Sequence, residues 1–412
     1  MEFSLDWYYR LNRQVLSIYG LWPYQNATNA WIKRIISILL MIFVAICQAI
    51  KICMTDLTID FILECIPILI PNIVAILQFI NRIIINNKLR SLCDQIKIDW
   101  KCARSQDEIK IMQTTAMNTQ IIIKLFLFIS FIGICMHMLS TFLPQILDVF
   151  LPLNESRSRE PPFHVEMFVD QQKHFYIVRF IMYFYVIFIL GEIIANGTMF
   201  VVYMQHVSGM FIILGHRAKQ SFSNGQLPKN RPNHGKDFGS IAIFIEDHHN
   251  VLQFVDLIQS CYGLSLFVEL LDAVILIGLT MVQIIKFTGT LDRSIRSLFY
   301  VVGQLAYIFM YSYMGQQLID MNTHLFKQIY YTKWHNISIW KQKMMLFVML
   351  KCMRMVTINA YNIFILSLKS FSTVSENGID DKLNLRNVFY HDDINTNFVS
   401  RLCIRLYRFV CC

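Results

Sequence analysis

The sequence predicts an all-α membrane protein with seven transmembrane helices, its N-terminus cytoplasmic and its C-terminus extracellular. Three observations lead there. Long apolar stretches recur seven times, Lys and Arg gather between alternate stretches, and 55% of the 412 residues are hydrophobic while only 16% are charged. A hydrocarbon core ~30 Å thick needs ~20 apolar residues per helix, and positive mean hydropathy is a membrane profile.

Residues 1–34 read as a cytoplasmic N-terminal segment. Within them, residues 1–24 hold no uninterrupted apolar core before a small-residue cleavage site, so the first span is expected to serve as the insertion signal. Spans follow at 35–52, 57–85, 121–143, 175–203, 262–285, 298–318 and 344–374, making 35–374 one seven-helix domain and 375–412 a divergent tail. Orientation comes from the flanks, because cytoplasmic segments retain Lys and Arg. The side of the N-terminus, with Arg10, Lys33, Arg34, Arg82, Lys97 and Arg217 among its members, holds 20 such residues against 7 on the other side before the tail. The net charge of +9 is assigned to contact with anionic lipid rather than nucleic acid.

Two loops are long. The outer one, 144–174, has Pro161-Pro162 and the acids Glu155, Glu160, Glu166 and Asp170, which suit a lid folded partly over the bundle. It also carries the sequon Asn154-Glu155-Ser156, the expected glycosylation site on the translocated side. Sequons at Asn26, Asn196 and Asn336 fall on the cytoplasmic side or within a span. In the inner loop before the fifth span, Phe244, Val251, Phe254, Val255 and Ile258 recur with helical spacing and extend a helix beyond the bilayer.

Catalytic chemistry has no footing. His248 and His249 are adjacent and diverge by about 100° on a helix, and no Cys or carboxylate pair completes a metal site. There is no Gly-rich phosphate loop, nucleophile elbow or paired-carboxylate constellation. We therefore expect no enzyme, metal or cofactor. Of the 11 cysteines, Cys47, Cys65, Cys135, Cys261 and Cys352 fall in or beside spans and Cys93 and Cys102 in a cytoplasmic loop, and mostly reduced thiols are expected. Charges within spans are costly. Glu192, Asp272 and Glu64 admit two readings, packing against a hydroxyl or amide, or a polar network coupling a pocket to a pore. Lys351 and Arg354 suit anchoring at the cytoplasmic face, and Lys369 would oppose cation flow unless turned away or paired.

The block 311–374 contains Gly315-Gln316, then Tyr330 and Trp334, then Gln342-Lys343, and ends in Leu366, Ser367 and Phe371. Gly20-Leu21-Trp22-Pro23, Pro162-Phe163 through Phe168-Val169-Asp170-Gln171, His206 through Gly209-Met210-Phe211, and His249-Asn250 keep the same order along the chain. In these motifs, over about residues 15–374, the sequence resembles the insect odorant receptors, in particular the expanded kind of ants, bees and wasps. His335 departs from the Tyr usual in that family.

The resemblance implies a subunit of a ligand-gated, nonselective cation channel in olfactory signal transduction. It would form a heterotetramer with the odorant co-receptor, in the plasma membrane of olfactory neuron dendrites and in contact with membrane lipid. The inside N-terminus agrees. A G-protein-coupled receptor would need the opposite orientation, and no Asp-Arg-Tyr closes the third span. In the family the seventh span lines the pore, which gives Ser367, Phe371 and Val374 pore or gating roles, and a cytoplasmic anchor holds the subunits, to which Gln316, Tyr330 and Trp334 are assigned.

The family's pocket for small volatile odorants lies in the outer half of spans two to six. Met136, Met138, Phe142, Phe180, Tyr183, Phe184, Met281, Tyr300, Gln304 and Tyr307 are the candidates here. Met adapts to many shapes, and Tyr adds a polar tip to an aromatic wall. The tail breaks the pattern, because Ser375-Glu376-Asn377-Gly378 and Asp380-Asp381-Lys382 replace an apolar continuation of the seventh span. A non-conducting or dominant-negative subunit is the alternative that follows, with a related gustatory receptor behind it.

Overall fold

Polar caps set where several helices begin. In the computed structural model, which describes residues 5–56, 58–103, 105–150, 161–167, 169–170, 173–223, 234–286, 291–332, 339–361 and 363–373, α1 spans Leu5–Ile18 and α2 spans Ala27–Met54. The Asn26 side chain opens α2 by accepting from the Thr28 N–H at 3.1 Å, and the Thr58 hydroxyl opens α3 (Ile59–Ile84) by accepting from the Phe61 N–H at 3.3 Å. After α4 (Asn86–Lys101), Ser105 caps α5 (Gln106–Phe150), with Asp107 and Glu108 in its first turn, where negative charge complements the helix dipole.

Next come α6 (Phe175–Ser223), α7 (His234–Lys286), α8 (Leu291–Tyr330) and α9 (Ile339–Met353). At ~1.5 Å per residue, α5 to α8 run ~60–80 Å, about twice the hydrocarbon core. They must therefore continue well outside a bilayer. The helical extension expected ahead of the fifth span is the first half of α7, with Phe244, Val251, Phe254, Val255 and Ile258 all buried.

Among the described residues five helices, α2, α3, α5, α6 and α7, are long and apolar enough to cross a membrane. The sixth expected span falls within the continuous α8. The seventh is not one helix. α9 stops at Met353, a hairpin of β1 (Asn359–Ala360) and β2 (Phe364–Ile365) pairs antiparallel with Asn359 opposite Ile365, and helix resumes only at 368–373. Tyr361 at the hairpin tip has φ 53°, a left-handed turn conformation that a helix cannot contain.

α6 is the central post, packed against α1, α3, α5, α7 and α8. Met199 through Met204 on it are all buried, whereas α2 turns Ile32, Ile35, Ile36, Leu39, Phe43 and Ile46 outward, as a lipid-facing helix would. The stretch between the second and third spans is the helix α4, with Leu89, Leu92, Cys93 and Ile96 buried, so Cys93 belongs to the core rather than to a loop. Three cations counted as loop charges are buried as well. Arg34 donates to the Gly20 carbonyl at 2.8 Å, Arg82 lies over the Tyr262 ring at 4.8 Å, and Arg217 is held by two carboxylates.

The described part of the long outer loop straps α2, α3 and α6 together. Phe163 and Val165 are buried, with Phe163 against Tyr185 at 6.2 Å. The Glu166 N–H donates to the Cys47 carbonyl at 3.1 Å, and Lys51–Glu166 and His164–Glu64 pairs close the strap at 3.2 and 3.0 Å. Asn154 and residues 374–412 lie outside the described residues.

Candidate ligand-binding and gating site

Around α6 and α8 the candidate residues separate into groups. At the start of α6, Tyr183 is buried and its hydroxyl bonds that of Thr141, with Phe142 at 6.0 Å between ring centroids. Arg179 organises this corner. It is 3% exposed, lies 4.0 Å over the Phe142 ring, donates to the Tyr183 hydroxyl at 3.2 Å and also donates to the Thr141 carbonyl. We did not single it out from the sequence, although a lone cation inside an apolar, aromatic run was a visible signal.

Phe180 and Phe184, by contrast, sit at 72% and 59% exposure on an outward-facing side of the same helix. The start of α6 is aromatic all round, so composition could not distinguish its faces. Met136 and Met138 are half-buried on α5, flanking His137, whose ring lies 5.5 Å from that of Tyr300. Gln304 is half-buried one turn further along α8.

Tyr307 reaches the interior. Its hydroxyl lies 3.0 Å from that of Tyr311, and its ring is 6.5 Å from Phe126 on α5. Behind it is a layer of buried polar groups: Arg82 from α3, Glu192 and Asn196 from α6, and Glu269 from α7, where the Asn196 amide donates to Glu269 at 3.5 Å. Asp272 lies one turn beyond Glu269 and is half-buried.

Met281 joins a different cluster. It packs with Ala273 and Ile277 of α7, Leu305 and Ile308 of α8, and Phe371 of the last helical turn. A candidate ligand contact and a candidate pore residue therefore share one apolar patch. Phe371 also meets Phe309 edge-on at 5.4 Å. One face of α8 carries Tyr307 and Tyr311 toward the polar layer, while its neighbouring face carries Leu305, Ile308 and Phe309 toward Phe371.

Two devices dock the segment after α9. A Cβ on Gly315 would collide with the carbonyl and side chain of Leu366, so only glycine allows α8 to come this close. Next to it, Gln316 accepts from the Leu368 N–H at 3.3 Å and donates to Asp320 at 2.9 Å. Gln316 thus holds the start of the last helical turn, and Ser367, buried, bonds Ser370 at 2.9 Å there. Gln259 on α7, which the sequence reading passed over, clasps the hairpin. It donates to the Asn359 carbonyl and accepts from the Asn359 N–H, both at 2.8 Å. Tyr330 is exposed at the end of α8 beside Tyr331, and Trp334 and Val374 lie outside the described residues.

A separate small cleft opens between α4, α5 and α6, lined by Trp100, Met112, Thr115, Thr119, His206 and Met210. It lies beside the His206–Asp99 pair, 2.8 Å apart, and away from the candidates above.

Comparison with known proteins places this architecture. Odorant receptor coreceptors of Aedes aegypti and Anopheles gambiae are each 25% identical over 135 residues, and that of Harpegnathos saltator is 22% identical over the same length. The aligned part is 33% of this chain and only 28% of each coreceptor. Structures of the insect olfactory receptor OR5 from Machilis hrabei share the fold. The one in complex with eugenol has a TM-score of 0.74 at 15% identity and the other 0.73 at 14%, each covering 93% of this chain and 98% of its own. The family model described as 7tm Odorant receptor matches residues 58–377, most of the bundle and the docked segment alike, and the chain belongs to that family.

Proposed function

We propose that this chain is an odorant-binding subunit of a nonselective cation channel, assembled with an odorant co-receptor in the plasma membrane, with its N-terminus in the cytoplasm. The observation that carries the reading is the position of α8. It lies between the interior layer at Tyr307 and the apolar patch that joins Met281 to Phe371. A ligand that shifts α8 by a fraction of an ångström changes both surfaces together, because packed side chains rearrange between discrete arrangements.

The interior is suited to small apolar molecules with one polar group, since burial supplies affinity and a few placed polar atoms supply orientation. Ser367 and Phe371 then act at the pore, and Met136, Met138, Phe142, Tyr183, Met281, Tyr300, Gln304 and Tyr307 contribute to ligand choice. The test is co-expression with a co-receptor and recording of odorant-evoked current. Tyr307→Ala should reorder odorant potencies by up to ~1.5–3 kcal/mol while surface assembly persists. Phe371→Ala should change open probability while leaving the order of potencies intact. Unaltered ranking across Tyr307→Ala and Tyr300→Ala would move the ligand site elsewhere.

A further inference from the structure

We propose that Glu192, Glu269 and Asn196, at the layer where α3, α6, α7 and α8 meet, form a binding site for the ammonium head of a small alkylamine. The hydrogen-bond inventory is lopsided. Among the described residues both carboxylate oxygens of Glu192, Oε2 of Glu269 and Oδ1 of Asn196 have no hydrogen-bond partner, and Glu192, Glu269 and Asn196 are only 1%, 9% and 2% exposed. Against these four acceptor atoms stand two unpaired donors, Arg82 Nη2 and the Tyr262 hydroxyl. An unpaired buried polar atom costs about 1–3 kcal/mol, and an ionisable residue within a membrane bundle marks function more often than packing.

The groups converge. Asn196 follows Glu192 by one turn on the same face of α6, and its amide, donating to Glu269 Oε1 at 3.5 Å, aims the carboxamide into the cluster. Arg82 lies within electrostatic reach of both glutamates, and the Tyr307 hydroxyl lies beside Glu269. Around them, Phe200 stands 5.0 Å from Tyr262 and 4.9 Å from Tyr311, giving the layer an aromatic wall.

Charge selects the occupant. Arg82 balances one of the two glutamates, and the other, buried without a counter-charge, holds its proton. Water or an alcohol takes no proton from it. An alkylamine does, and the alkylammonium so formed brings three N–H donors to the carboxylate left behind, with aromatic faces attracting it further. The site lies behind Tyr307, so the inference deepens the odorant-gating reading and rests on it for the functional consequence, though not for binding.

The test uses the full chain assembled with its co-receptor. Hexylamine and hexan-1-ol are compared by the shift in Tm of the detergent-purified complex and by evoked current. Hexylamine should bind at least tenfold more tightly than hexan-1-ol, and Glu192→Gln or Glu269→Gln, each nearly isosteric, should lower that ratio at least tenfold. Equal binding of the two compounds by the unmodified complex overturns the amine site and needs no variant. So does an unchanged ratio in both variants. Preferential amine binding without any evoked current keeps the amine site and sinks the channel reading. Current evoked by alcohols alone, with no preference for the amine, does the reverse.

Discussion

The polar residues of α6 serve opposite purposes at its middle and at its far end, the end we assign to the cytoplasm. There Arg217 donates to both Glu108 oxygens at 2.8 and 2.9 Å and to Asp247 at 2.8 Å, stapling α5, α6 and α7 with a charge network in which every group named is paired. At the middle, Glu192 is more deeply buried, yet among the described residues neither of its oxygens has a hydrogen-bond partner. Burial alone therefore does not make a charge structural. The far end is a finished staple, and the middle keeps hydrogen-bonding capacity that none of the described residues uses.

The largest expected effect tests that contrast directly. Glu108→Ala leaves Arg217 buried with a single carboxylate and should destabilise the complex by about 1.5–3 kcal/mol, read as a lower unfolding temperature and less surface protein. Glu192→Leu removes an unpaired buried charge and should be neutral or stabilising. If Glu192→Leu proved as damaging as Glu108→Ala, the two regions would be alike and the middle would be structural.

A smaller effect concerns the docked segment. Gly315→Val forces α8 away from Leu366, an overpacking cost of about 1–3 kcal/mol. Since α8 and α9 still pack elsewhere, complexes should reach the surface with evoked current strongly reduced. Normal current would separate the Gly315 contact from gating.

The smallest effect is a pH dependence near α4. The Tyr24 hydroxyl donates to Asp94 at 2.5 Å and, with Lys97 adding to it, holds that half-buried carboxyl below its ordinary range. A depressed carboxyl stabilises the fold above its unfolded pKa of about 3.9, and that contribution is lost as pH falls through the lower folded value. Asp94→Asn should therefore lower the unfolding temperature slightly at pH 7, with the difference shrinking below about pH 4. A difference that grew on acidification would reverse the sign.

Much of this was written in the chain before folding. Apolar runs long enough to cross a bilayer dictate helices, because a backbone in lipid must satisfy its own hydrogen bonds. The spacing of Phe244, Val251, Phe254, Val255 and Ile258 likewise predicted the buried face of α7. Gly315-Gln316 was legible as a motif, and its physical purpose, close approach to Leu366 and a cap for Leu368, became visible only with both segments in place.

Local pattern reports period and polarity but not which neighbours arrive. That is why Phe180 and Phe184 could not be told from Tyr183, and why Arg82 read as a loop cation although it stacks on Tyr262 inside the bundle. It is also why the seventh span read as one helix: its apolar run has helical length, yet Gln259, 100 residues earlier, supplies the hydrogen bonds that hold Asn359 in a hairpin. The sequence by itself determined a helical membrane protein of this family, because burial in lipid is decided residue by residue. Only the tertiary structure decided which charges are paired and which stay open, because pairing depends on distances between helices that the chain's order does not contain.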